Sequence, residues 1–121
     1  MTPEMSPEER TKWIEDRRQY VVQTATTAPD RPVPFLFAVH EVWKWLFAMP
    51  ELKARVADAD FQFLYGIVRE CYGLPLSTER QYWARESLQE KDLKAESIEQ
   101  RIREDVRSAF ARIVRDLKDV P

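Results

Sequence analysis

The stretch VPFLFAVHEVWKWLFAM, residues 33–49, crowds Phe35, Phe37, Trp43, Trp45 and Phe47 together, with only His40, Glu41 and Lys44 as ionisable groups. Placed on a helix of about 100° per residue, His40, Lys44, Phe37, Ala48 and Glu41 share one narrow side. The remaining apolar residues wrap roughly 200°, about twice the minimum apolar stripe of a surface helix. A helix this apolar is either central to a bundle or shared with a partner. Phe37 falls within the polar side and Trp45 at its edge. These two aromatics, with His40, Glu41 and Lys44, are therefore the candidate interface.

Punctuation on either side divides the rest of the chain into further helices. Pro50 stops the aromatic helix and suits the first turn of a short one reaching about Ala57. Asp58 or Asp60 can cap the next helix, where Phe61, Leu64, Tyr65, Val68 and Tyr72 recur at core spacing, broadened by Phe63 and Ile67. Gly73 in a left-handed cap, Leu74 folded back on Val68, and Pro75 form its stop. Ser77 then offers a cap to a helix carrying Tyr82, Trp83 and Leu88.

Towards the N-terminus, APDRPVP, residues 28–34, reads as a rigid elbow. Ahead of it Ser6, Pro7, Glu8 and Glu9 compose a capping-box start. Trp13, Ile14, Tyr20, Val21, Thr24 and Ala25 follow on one face, and the helix should end before Ala28 and Pro29. Arg17 lies within that face, as a side chain whose stem covers apolar surface while its head stacks on Trp13.

The C-terminal segment is the most regular. Ala95, Ile98, Ile102, Val106, Ala109, Phe110, Ile113, Leu117 and Val120 hold one face of a long amphipathic helix, beginning near Ser77, Asp92 or Ser97. Glu99 with Arg103, Arg101 with Asp105 and Arg112 with Asp116 are spaced four apart. As surface pairs they contribute about 0.2–0.5 kcal/mol each.

Two glycines, no asparagine and no clean alternation of apolar and polar residues leave hairpins without their turn chemistry. The expected fold is all-α: one domain over residues 1–121, a bundle of about five helices with the long C-terminal helix packed along it or projecting. Residues 1–5 are expected to be disordered and the end to fray around Val120.

Composition limits the function classes. A formal net charge of −2 and 44% hydrophobic residues describe a soluble globular chain without bulk attraction to phosphate or anionic lipid. Residues 33–49 are too short and too charged for a confident membrane span, and the first ten residues lack a signal-peptide pattern. Cys71 is the only cysteine, which excludes an internal disulfide and fits a reducing cytoplasm. Its place in the last turn of a helix disfavours a thiolate, so it reads as a small buried hydrophobe rather than a nucleophile served by His40.

No catalytic, metal or cofactor motif assembles. His40 is the only histidine, and the calcium-loop start at Asp58, Asp60 and Gln62 fails because Phe63 stands where glycine is required. Three surfaces remain. The interface candidates support a non-catalytic interaction protein (a regulator, inhibitor or accessory subunit) whose simplest partner is a second copy of itself. Trp43, Phe61, Tyr65 and Trp83 can wall a pocket for a small apolar ligand. Lys94, Arg101, Arg112 and Arg115 form an anion-facing ridge, the basis for a DNA-associated regulator, but Glu104 and Asp105 interrupt it and argue against nucleic acid.

Overall fold

The computed structural model describes residues 4–118. Five α-helices account for most of them: α1 (Pro7–Thr27), α2 (Pro32–Ala48), α3 (Pro50–Lys53), α4 (Asp58–Glu70) and α5 (Arg85–Lys118). A 3₁₀ turn, Thr78–Tyr82, precedes α5, and no strand occurs among the described residues. The chain is therefore an all-α bundle with a long C-terminal helix. The fraying expected near Val120, and that helix's last apolar position, lie outside the described residues, as do residues 1–3.

The aromatic helix is central, packing against α1, α3, α4 and α5. Phe35, Leu36, Val39, Val42 and Leu46 of α2 are buried against Val21 and Ala25 of α1, Leu64 and Ile67 of α4, and Val106, Phe110, Ile113 and Leu117 of α5. The Phe35 and Phe110 rings meet at 6.4 Å. Aromatic and β-branched residues are modest helix formers, so it is burial on three sides that holds α2 helical.

Most boundaries follow the local chemistry. Ser6 Oγ accepts the Glu9 N–H at 3.1 Å, and α1 stops at Thr27 ahead of the Ala28–Pro29 pair. The elbow is shorter than expected, because Pro32 begins α2 with its fixed φ and Phe35 N–H already bonds Arg31 O at 2.9 Å. Two prolines among the first three positions leave that helix start few free donors. Gly73 has φ +86°, the left-handed stop of α4, and Leu74 N–H donates to Cys71 O at 2.9 Å.

Other expectations are corrected. The helix from Pro50 ends at Lys53 rather than near Ala57, and α4 is entered through Ala57 with no side-chain cap. Asp60 is instead buried beneath Arg112. The apolar core stripe of α4 is Phe61, Leu64 and Ile67, continued by Cys71 just past its end, which leaves Tyr65 partly exposed and Tyr72 almost wholly so. Ser77 caps nothing. The Glu79 carboxylate accepts the backbone N–H groups of Leu76 and Ser77, and the helix carrying Leu88 starts only at Arg85.

Helix α5 holds 34 residues and is about 50 Å long. Its buried face matches the predicted one from Ala95 to Leu117 and adds Glu99, which is completely buried and bound by Arg103. Glu99 with Arg103 is thus no ordinary surface pair. Arg112 likewise turns away from Asp116 as a hydrogen-bond partner, since its Nη2 and Nε lie 2.8 and 3.1 Å from Asp60 Oδ1. Arginines fasten the far end too: Arg18 donates to Leu117 O at 3.0 Å, and Arg55 to Leu117 O at 2.9 Å and Asp116 O at 3.2 Å. These bonds satisfy carbonyls that the last turn of a helix leaves without partners.

Candidate functional site

The five interface candidates on α2 separate into two environments. Trp45 is half-buried beneath α1, edge-on to Trp13 and Tyr20 at 6.5 Å each. Arg17 lies over it at 4.4 Å and over Trp13 at 5.6 Å, while Lys44 Nζ approaches the Trp45 ring at 5.1 Å. The stacking of Arg17 on Trp13 follows from their spacing of four. The second ring comes from across the chain.

Phe37, His40, Glu41 and Lys44 line a cavity of about 180 Å³ closed by Leu74, Leu76, Ser77 and Glu79. Lys44 Nζ stands 2.7 Å from Glu41 Oε2, outside hydrogen-bonding alignment, so their attraction is ionic. Burial pushes the His40 pKa below its usual value; Glu41 and Glu79 oppose this and Lys44 reinforces it. Cys71 does not line the cavity. It is buried in the core, and desolvation, with Glu70 nearby, pushes its thiol up to about 11.

The residues expected to wall an apolar pocket instead fill their space with rings. Trp43 stacks on Phe47 at 5.3 Å, on Tyr65 at 5.5 Å and on Phe61 at 6.3 Å. Trp83 takes no part in this cluster. Trp43 Nε1 is buried without an acceptor, and His40 stands edge-on to the same ring at 6.3 Å. The outer side of the cluster reaches solvent, with Phe47 65% and Tyr65 39% exposed. Two cations rim it: Lys53 Nζ lies 4.7 Å over Phe61, and the Arg69 guanidinium 5.8 Å over Tyr65.

Sequence reasoning missed Phe47, Lys53 and Arg69 as surface features. Phe47 follows His40 by seven residues, two turns, and so shares the outward side of α2, a spacing that was readable. The two cations were not readable as neighbours, because their rings sit on α4 and only folding brings α2 and α3 beside it.

The basic ridge is largely engaged with carboxylates. Arg101 pairs with Glu70, Arg112 with Asp60 and Arg115 with Asp116, while Lys94 makes no ion pair among the described residues. Two of those partners lie on α4, so the ridge works as a seam between helices. Arg107 performs the same task at the elbow, pairing with Asp30, donating to Ala28 O at 3.2 Å and covering the Phe35 ring at 5.3 Å.

A separate open groove of about 630 Å³ runs between the start of α2 and the first turns of α5. Pro32, Val33, Pro34 and Leu93 give it apolar walls, and the Arg80–Asp92 ion pair stands at its side. Among the described residues no group of three or more His, Cys, Asp or Glu side chains is placed to hold a metal ion. Comparison with protein-family models, curated proteins and solved structures finds no match for the chain.

Proposed function

We propose that this chain is a non-catalytic interaction module, a regulator, inhibitor or accessory subunit, that binds another protein through the aromatic face shared by α2 and α4. The observation that carries this reading is the Phe47–Trp43–Tyr65 stack, whose outermost ring is 65% exposed beside a well-filled core. Grouped exposed aromatics rimmed by cations are the composition of interface anchors, and a ring already held by stacking loses little freedom on binding. The interface thus moves one side round α2 from Phe37 and Trp45, which the protein uses internally. A cytoplasmic setting is part of the same reading, supported by the lone, buried, free thiol of Cys71. Among the described residues no helix is long and apolar enough to cross a membrane.

The test is capture by the immobilised chain against Phe47→Ser and Tyr65→Ser. Far-ultraviolet circular dichroism should be unchanged, because both rings are partly exposed, and the captured protein should be lost. Equal capture by wild type and both variants would remove the proposal.

A second reading, binding of a small apolar ligand, is favoured by the groove lined by Pro32, Val33, Pro34 and Leu93 rather than by the ring cluster. Its mark would be a saturable rise in Tm with an apolar compound, abolished by Leu93→Glu.

A further inference from the structure

We infer that the partner of the aromatic face is an acidic protein segment, an amphipathic stretch with one or two large apolar side chains between carboxylates. This rests on the interaction reading above and names the partner's chemistry. Along α4 the rings and cations run in a fixed order. Lys53 covers Phe61, Tyr65 follows one turn on, and Arg69 reaches back over Tyr65 from the next turn. The apolar strip formed with Phe47 and Trp43 therefore has a cation at each end. Neither Lys53 nor Arg69 forms an ion pair among the described residues. Of the nearby carboxylates, Glu51 is paired with Arg10 and Glu70 with Arg101, while Asp58 lines one cleft with Lys53 without closing an ion pair among the described residues. Two cations thus stand against one unpaired carboxylate, which leaves the strip a positive excess on a chain whose formal net charge is −2.

That arrangement disfavours a second copy of the chain. A two-fold pairing of this face sets Lys53 against the mate's Arg69, or each cation against its own equivalent, depending on the direction of the axis. Either way like charges meet across an apolar contact, a mismatch that acts against association. Nucleic acid is a poorer fit as well. Trp43 is already stacked against three rings, and two cations separated by an apolar strip neutralise few phosphates. A peptide with carboxylates at its ends and an apolar centre matches charge and polarity along the whole strip.

The experiment selects a display library of random linear peptides against the folded full chain. Enriched sequences should carry Asp or Glu on both sides of Leu, Phe, Met or Trp. A synthetic peptide of the enriched type, followed by fluorescence anisotropy, should bind more weakly at high salt. Phe47→Ser should weaken it by more than about tenfold, and Lys53→Glu and Arg69→Glu by roughly three- to tenfold each. Enrichment of basic or neutral peptides, or indifference to both charge reversals, overturns the acidic assignment. If such peptides still need Phe47, the interaction reading survives it. Peptides indifferent to Phe47→Ser, or no enrichment over a Phe47→Ser, Tyr65→Ser control, overturn the inference with its premise at this face. Phe47-dependent binding of a thymidine oligonucleotide or of phosphatidylserine vesicles, in preference to the acidic peptide, overturns it as well.

Discussion

Substitution of Arg17 separates what its stem does from what its head does. The guanidinium carbon lies 4.4 Å from the Trp45 ring centre and 5.6 Å from that of Trp13. A cation over a ring in a half-buried setting contributes about 0.5–1 kcal/mol, so two rings supply about 1–2 kcal/mol. Against this, Arg17 Nε is buried with no acceptor, and an unsatisfied buried donor costs about 1–3 kcal/mol. The head is therefore close to neutral. The stem has methylenes lying along both rings, and at ~0.8 kcal/mol for each one fully buried, a half-buried stem contributes about 1 kcal/mol.

Arg17→Met keeps most of the stem and removes the orphaned donor, so it should unfold within about 0.5 kcal/mol of wild type. Arg17→Ala should lose about 1–1.5 kcal/mol, a fall in Tm of roughly 3–6 °C for a domain of this size. Arg17→Lys keeps the charge without the planar stacking surface and should fall between them. Urea unfolding followed by circular dichroism measures all three. If Arg17→Met were as unstable as Arg17→Ala, the planar cation would be what fastens α1 to α2. The near-cancellation argued above would then be wrong.

Three further outcomes follow from buried groups. Glu99→Leu should be as stable as wild type or more so, because it removes a desolvated carboxylate from an otherwise apolar face, whereas Arg103→Leu should destabilise by leaving that carboxylate buried alone; chemical denaturation of both variants decides this. The Cys71 thiol, buried and pushed up to about 11, should react with Ellman's reagent in the native protein far more slowly than in urea, and fast native labelling would refute its structural role. His40 has a folded pKa below its unfolded value, so the unfolded chain takes up the proton first. Its contribution is complete above pH ~6.5 and declines as the pH falls from there, and His40→Gln should flatten that part of the stability profile.

How far the fold was legible depends on whether each signal was local. The start of α1 is written in Ser6 and its third neighbour, the stop of α4 in Gly73 and Pro75, and the long face of α5 in a repeat sustained over many turns. Errors appear where the chain chooses between two local options on tertiary grounds. Asp60 is a reasonable cap by sequence, yet Arg112 from 52 residues away takes its carboxylate into the α4–α5 seam. Tyr65 and Phe61 are one turn apart and look equally suited to the core. Only the position of α2 decides that Phe61 goes under and Tyr65 stays at the edge.

The site was less legible, and the arginines show why. Spacing along a helix predicts partners four residues away, whereas Arg101, Arg107 and Arg112 take theirs from other segments, on Glu70, Asp30 and Asp60. A guanidinium has enough donors to hold a carboxylate and a carbonyl together, as Arg107 does at the elbow, which suits arginine to joints between helices better than lysine. Three of the four residues of the basic ridge read from sequence, Arg101, Arg112 and Arg115, are paired within the fold, and among the described residues Lys94 is not. Arg69 departs from that pattern. It lies over a tyrosine ring at the edge of an exposed aromatic stack without a carboxylate of its own, and Lys53 does the same over Phe61. In a chain that pairs its arginines so widely, Lys53 and Arg69 are held by rings alone, at opposite ends of one apolar strip, which is why the proposed partner is sought among acidic segments.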